Sequence, residues 1–377
     1  MKFVLFYENI QREVQNAYLL KAELKRRGHE LYICDMFYML NISREKIGFI
    51  PDAVLTPYLY EDHQLEYFKL LFDHKIRRIV NLQYEQILTN RHNQLGFHIP
   101  KNLNRNAIHL CWGEKWKNIM INGGVPEKNC IITGSLNVDM DRERFDGLYK
   151  TRSEIAVEHN LDENKKWILF ISSFNMVNLS KDRKQYNYNR LGKKQINERI
   201  EIDTKSRNMI LEWIEKYISE NNNCEFIYRP HPGENLEDDI IYNMLRKYTR
   251  FHIIRDDSVR AWIKVCDKIN TWATTSIVDV YFMKKNCSIL RPIPIASWMN
   301  NGLTDKGDFI SDYESFKSFN ENDSINKFPI DESLILENFY IDEEKYAYEL
   351  ICDLLENIVN KDIKMDFYND EECDNNE

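Results

Sequence analysis

The chain has 377 residues, 43% of them hydrophobic and 12% aromatic, with a formal net charge of −9. That length exceeds the usual single core, so two domains are expected, and the aromatic content excludes disorder over most of the chain. An acidic total argues against general nucleic-acid binding, and no apolar run approaches the roughly 18 to 20 residues of a membrane-spanning helix.

The opening run KFVLFY is a short apolar strand that leads straight into charged residues. It lacks the longer apolar region and small-residue cleavage site of a signal peptide, so a cytoplasmic protein is expected. Val14 to Arg27 has helical spacing and stops at Gly28, a residue suited to the left-handed end of a helix. HELYICD, DAVLTPY and RRIVNLQ follow as short strands, the last two separated by a helical stretch from Gln64 to Phe72. AIHLCWG is another strand, Glu114 to Asn122 a helix closed by Gly123-Gly124, and NCIITG the last strand of this half. Strands alternating with helices predict a mostly parallel, doubly wound sheet. Residues 1–141 are assigned to this first domain, and the polar stretch 142–165 to a linker.

A second α/β series spans 166–341. KWILFISS, CEFIYRP, RFHIIRD, DKINTW and CSILRP read as strands, with helices from Lys205 to Ser219 and from Asp238 to Tyr248. Residues 342–360 carry apolar side chains at helical spacing, and 361–377 form an acidic tail of net charge −5. Between Asn178 and Arg207 the balance reverses to a local +5, which permits contact with an anionic substrate or membrane surface. The eight cysteines show no CxxC pair and no zinc-like spacing. Cys34, Cys266 and Cys287 lie in apolar or mixed runs and read as reduced core residues.

Two strand-end motifs stand out. Tyr228-Arg229-Pro230-His231-Pro232-Gly233-Glu234 directly follows the strand CEFIY. Ligands of parallel α/β sheets bind outside the carboxyl ends of strands, and two prolines stiffen the turn. Arg229 and His231 are therefore candidates for a phosphate, against the plainer reading of a polar strand-ending turn. Thr271-Trp272-Ala273-Thr274-Thr275-Ser276 is the second motif, between an apolar strand and a helix. One hydroxyl suffices to cap a helix; a run of them favours an anion at the free N–H groups.

RPHPGE after one strand and TTS at a later helix start resemble the donor half of GT-B glycosyltransferases. They are similar to bacterial surface-carbohydrate (capsule and lipopolysaccharide) enzymes, including Kdo transferases and sialyltransferases with a His-Pro motif and a Ser/Thr motif. The resemblance implies two Rossmann-like α/β domains facing across a cleft, with the helix 342–360 returning to the first. It also implies that a nucleotide-sugar phosphate is held by His231, Thr274, Thr275 and Ser276; Arg229, Pro232 and Glu234 of the same turn are donor-binding candidates beside them. KAELKRRGHELYICD resembles the first helix and second strand of many GT-B enzymes, and CWGEKWKNIMINGGVPEKNCIITGSLNVD their end-of-domain segment with its G-(S/N)-x-x-x-D turn.

Sugar transfer needs a base for the acceptor hydroxyl, or a nucleophile if configuration is retained. Glu85 after RRIVNLQ and Glu8 after KFVLFY are the candidates, in that order; the plainer reading of each is a solvated strand-end residue. Arg12, one turn beyond Glu8, can pair with it or with a substrate carboxylate. The basic segment from Lys181 to Arg207, with Tyr186 and Tyr188 among its cations, is expected to be a surface loop, and its functional reading is a lid or an acceptor contact.

The expected protein is a metal-independent glycosyltransferase with no cofactor beyond its donor, a CMP-activated nonulosonate or Kdo. Its expected acceptor is a glycan, lipid-linked or protein surface molecule, with a peripheral contact at the inner membrane face and no nucleic acid. The alternatives are a CDP-alcohol phosphotransferase of the teichoic-acid type, a sugar-nucleotide epimerase, and a non-catalytic GT-B scaffold.

Overall fold

The computed structural model describes residues 1–36, 47–236, 239–324 and 327–368. The chain forms two compact units. Unit 1 takes Met1–Leu88, His92–Asp139 and the C-terminal stretch from Leu336, and unit 2 takes Met140–Ile335 with the short piece Thr89–Arg91.

Unit 1 holds six strands: β1 (Lys2–Tyr7), β2 (Glu30–Asp35), β3 (Ala53–Thr56), β4 (Ile79–Asn81), β5 (Ile108–Cys111) and β6 (Cys130–Ile132). They form one parallel sheet in the order β2-β1-β3-β4-β5-β6. Phe3, Val4, Leu5 and Phe6 are all fully buried, as expected of a strand covered on both faces. The helix Ile10–Arg26 runs back from β1, and Gly28 turns its end with φ +83°.

The G-S-x-x-x-D segment after β6 has two structural tasks. Gly134 has φ +77°, and a Cβ there would lie 2.7 Å from the Tyr340 carbonyl, so only glycine lets the returning chain pass. The Asp139 carboxylate accepts from the N–H groups of Ala347 (3.0 Å) and Tyr348 (2.8 Å), capping the C-terminal helix Ala347–Asn360. That helix packs on Ile10–Arg26. Between them Arg27 binds Glu23, Asp353 and Glu356 at 2.7, 2.6 and 2.8 Å. The start of the acidic tail docks here too, with Phe367 and Tyr368 buried and the Tyr368 hydroxyl donating to the Ile76 carbonyl. Residues 369–377 of the tail lie outside the described residues.

Unit 2 holds β7 (Lys166–Ile171), β8 (Cys224–Arg229), β9 (Phe251–Ile253), β10 (Lys268–Thr271), β11 (Cys287–Leu290) and β12 (Phe309–Ile310). Its parallel sheet has the order β12-β11-β10-β7-β8-β9. Strand β12 has no counterpart in the sequence reading, because two residues carry no periodicity. The stretch 142–165, expected as a linker, contains the helix Arg152–His159 with a Thr151–Glu154 capping box and clusters with unit 2. Within unit 2 Arg260 holds both Asp141 (2.7 Å) and Asp279 (3.0 Å).

The basic segment departs from its expectation. Instead of a loop it forms the helix Lys181–Leu191 and, past a turn at Gly192 (φ +97°), the start of the long helix Lys193–Glu220. Ser180 caps the first of these helices by accepting from the Arg183 N–H. Because Lys181–Leu191 buries only Leu191, it shows no apolar stripe from which it could be read.

Candidate functional site

In unit 2, β7 lies between β8 and β10. From β7 the chain steps to β8 and β9 on one side, then returns to lay β10, β11 and β12 on the other. The carboxyl ends of β7 and β10 thus frame the point where strand order reverses, the usual ligand crevice of such sheets. Both sequence motifs end at this edge. Their parent strands are two spacings apart, about 10 Å.

The turn after β8 is tied at nearly every polar group. Glu234 is 4% exposed. Its carboxylate accepts from the Ser172 hydroxyl, the Tyr228 hydroxyl (2.6 Å) and the His231 N–H (3.1 Å). The Arg207 guanidinium stands 3.5 Å from it. Arg255 donates to the carbonyls of His231, Pro232 and Glu234, and Arg183 to that of Gly233. The Gly233 N–H donates to His231 Nδ1 at 3.0 Å. With Nδ1 accepting, a neutral ring carries its proton on Nε2 and is a donor there.

Arg229 and Glu234 depart from the phosphate-facing role expected of them. Arg229 donates to the carbonyls of Arg255, Asp256 and Asp257, fastening the loop after β9. Glu234 is an internal clamp: a carboxylate this buried would repel an anion rather than hold one.

The turn after β10 is built on hydroxyls. Thr274 accepts from the Ser276 N–H at 3.2 Å, and Ser276 makes no side-chain capping bond. The helix it opens, Ile277–Phe282, has only six residues, so little macrodipole accumulates and the hydroxyl groups carry the polarity. The Ser173 hydroxyl accepts from the Ala273 N–H at 3.2 Å. Ser172 and Ser173, at the end of β7, therefore fasten the two motif turns on either side. The sequence signal for this pair is two hydroxyls ending the apolar strand KWILFISS, a pattern weaker than either motif.

In unit 1, Glu8, Arg12 and Glu85 come together. The buried Glu13 carboxylate accepts from the N–H groups of Glu8 (2.7 Å) and Asn9 (3.2 Å), fixing the turn out of β1. Arg12 then reaches Glu85 at 2.9 Å, with both side chains 52% exposed. Burial raises the Glu8 carboxyl above its ordinary pKa; Arg12 opposes the shift and Glu85 adds to it.

The Glu85 carbonyl accepts from Gln83 Nε2 and His98 Nδ1, each at 3.2 Å. The opposite His98 nitrogen lies 3.9 Å from the Glu85 carboxylate. The His98 ring stacks on Tyr60 at 4.6 Å, and Tyr60 on Tyr58 at 5.6 Å. Tyr58, Tyr60, Gln83 and His98 carried no sequence signal, since their common position depends on β3 and β4 being neighbours.

Tyr186 and Tyr188 lie on the helix Lys181–Leu191. Tyr186 is 59% exposed, and the Tyr188 hydroxyl donates to Asn197 at 2.7 Å. Among the described residues one group has the proximity of metal ligands, Glu158, His159 and Asp257. The Lys150 ammonium already bonds both of its carboxylates.

No protein-family model matches the chain, and no curated protein matches it by sequence. Solved structures do match. UDP-GlcNAc 2-epimerase from Methanocaldococcus jannaschii superposes with a TM-score of 0.59 at 14% identity, over 94% of this chain and 99% of that one. UDP-GlcNAc 2-epimerase from Neisseria meningitidis, bound to UDP-GlcNAc, gives 0.56 at 14% identity, over 95% and 100%. The wall teichoic acid polymerase TagF gives 0.58 at 14% identity, over 96% and 90%. At these identities the likeness is one of fold: two Rossmann-like units, each a parallel six-stranded sheet with flanking helices, of the GT-B kind.

Proposed function

We propose that the protein is a glycosyltransferase acting on a nucleotide-activated sugar, with donor binding in unit 2 and acceptor activation in unit 1. The observation that carries this reading is the His231–Glu234 turn, tied by Glu234, Arg255 and Arg183 at the carboxyl edge of the unit 2 sheet, with the turn of Thr274, Thr275 and Ser276 two strands away at the same edge. A donor phosphate there accepts from His231 Nε2–H and from those hydroxyls. Arg183 and Arg255 next to the turn add positive potential. Such preorganised donors stabilise the charge that grows on the leaving phosphate.

In the transfer step the acceptor oxygen bonds to the anomeric carbon, the bond from that carbon to the phosphate oxygen breaks, and the acceptor proton goes to a carboxylate. Glu8 and Glu85 are the candidate bases. The raised pKa of Glu8 brings it nearer the working pH, where a general base is most effective. The resemblance of the His-Pro and Ser/Thr motifs supports a CMP-activated nonulosonate or Kdo as donor. The acceptor in this reading is a surface glycan, lipid-linked sugar or glycoprotein, reached from the membrane periphery.

A second reading, sugar-nucleotide epimerisation, is supported by the likeness to the UDP-GlcNAc 2-epimerases. A thermal-shift series with CMP, CDP, UDP and GDP separates the two. A nucleotide at roughly 100 times its Kd stabilises by about 2.7 kcal/mol. Stabilisation by CMP, abolished in His231→Ala, supports the first reading. Stabilisation by UDP alone removes the CMP-activated donor and is the result the second reading expects, and none by any nucleotide removes both.

A further inference from the structure

The helix Lys181–Leu191 and the first two residues of the helix after it concentrate charge against the trend of the chain. Residues 181–194 contain Lys181, Arg183, Lys184, Arg190, Lys193 and Lys194 against one acid, Asp182, in a protein of net charge −9. Lys184 is half-buried and the other five cations are exposed. The helix places one side chain, Leu191, in the core. A helix of about 11 residues is marginal in water without packing, so its fastenings matter. They are the Ser180 cap, the Tyr188–Asn197 bond and the Arg183 bond to the Gly233 carbonyl at 3.3 Å.

The cations stand around the helix, with an exposed aromatic ring among them. Tyr186 is 59% exposed, and the Arg190 guanidinium stands 5.3 Å from its centroid. Lys184 similarly stands 5.7 Å from Tyr188. Four Lys or Arg on this helix and two just beyond it match a leaflet rich in anionic headgroups by charge alone, with no apolar stripe to insert. A nucleic acid needs a wider basic footprint to neutralise many phosphates, and the rest of this chain is acidic.

We infer that the basic segment from Lys181 to Lys194 is a docking surface for anionic lipid bilayers. The inference deepens the peripheral-membrane element of the proposed function and does not depend on the donor assignment. Through Arg183 the helix touches the His231–Glu234 turn, so docking brings a lipid surface beside the donor half of the reaction.

The test is co-sedimentation of the full chain with phosphatidylcholine vesicles, with or without about 30% phosphatidylglycerol. Binding should require the anionic lipid and should be lost between about 0.1 and 0.5 M salt, as the Debye length shrinks. The variant K181E/K184E/K193E/K194E should bind at least about tenfold more weakly, with unchanged melting temperature and nucleotide response. Those substitutions leave Arg183 and the motif turns intact. Equal partition of the wild type into neutral and anionic vesicles, or an unaffected quadruple variant, would overturn the inference. So would charge-dependent binding to heparin or RNA with none to vesicles. Loss of nucleotide response with retained vesicle binding would instead count against the proposed function alone.

Discussion

Arg12 and Glu85 are 73 positions apart in the chain and 2.9 Å apart in the fold, guanidinium Nη1 to carboxylate Oε1. The contact exists because β1, β3 and β4 lie side by side, bringing the turns after β1 and β4 to one edge. Glu8 completes a group of two carboxylates and one cation, whose net negative charge suits proton uptake better than anion binding.

Catalysis tests this group first. Glu8→Gln and Glu85→Gln keep shape and remove one base each. The true base should lower turnover by about 10² or more, with donor affinity unchanged. Steady-state kinetics with the nucleotide held saturating reads this directly. Near-normal turnover in both variants would move the base elsewhere.

Arg12→Met separates the roles further. The ion pair is half exposed, so its loss should change stability by no more than about 1 kcal/mol. Arg12 currently opposes the upward shift of the Glu8 carboxyl; without it that pKa rises further. If ionised Glu8 is the base, the acid limb of the pH–rate profile moves to higher pH. An unmoved limb would exclude Glu8.

In unit 2 the contrast is between His231 and Glu234. His231→Ala should leave the melting temperature nearly unchanged while weakening nucleotide binding, because a half-exposed turn side chain contributes little packing. Glu234→Gln should do the opposite first. It sets an amide donor against one of the two hydroxyls and removes the buried negative charge beside Arg207. A cost of about 3 kcal/mol or more is expected, read as a lower urea midpoint.

His109 sets the acid stability of unit 1. Fully buried, it is lowered from an ordinary value of about 6.5 to about 4. Its ring nitrogens face Asn81 Nδ2 at 3.1 Å and the Asn104 carbonyl at 3.0 Å. The folded pKa is the lower one, so the unfolded chain binds the proton first as pH drops. The stability is complete above about 6.5 and is lost progressively toward about 4. Chemical denaturation at pH 7.5 and pH 5 should differ by about 2 kcal/mol from this group. His109→Gln, which cannot titrate, should flatten that slope.

Arg27→Ala probes the C-terminal helix. Removing a guanidinium shared by Glu23, Asp353 and Glu356 should cost about 2 kcal/mol. Amide exchange should quicken in Ala347–Asn360 before the β1–β6 sheet responds.

Eleven of the twelve strands among the described residues were readable because a strand buried on both faces is a local property: a short apolar run between turn signals, as in KFVLFY or KWILFISS. The parallel α/β class followed from their alternation with helices. The two motif turns were readable for the same local reason, since proline, glycine and hydroxyl residues cluster where a strand ends. What only the tertiary structure decided is which strand ends are neighbours, because that is set by sheet order and not by spacing. It turned Arg229 and Glu234 from presumed ligand groups into internal fastenings, and it joined Ser172 to Glu234 and Arg12 to Glu85. It also made a helix of Lys181–Leu191, whose polar surface carries no periodicity and whose ends are held by contacts with Gly233 and Asn197. Local patterns record what a segment buries; they do not record whom a polar side chain meets once the backbone has brought distant turns together.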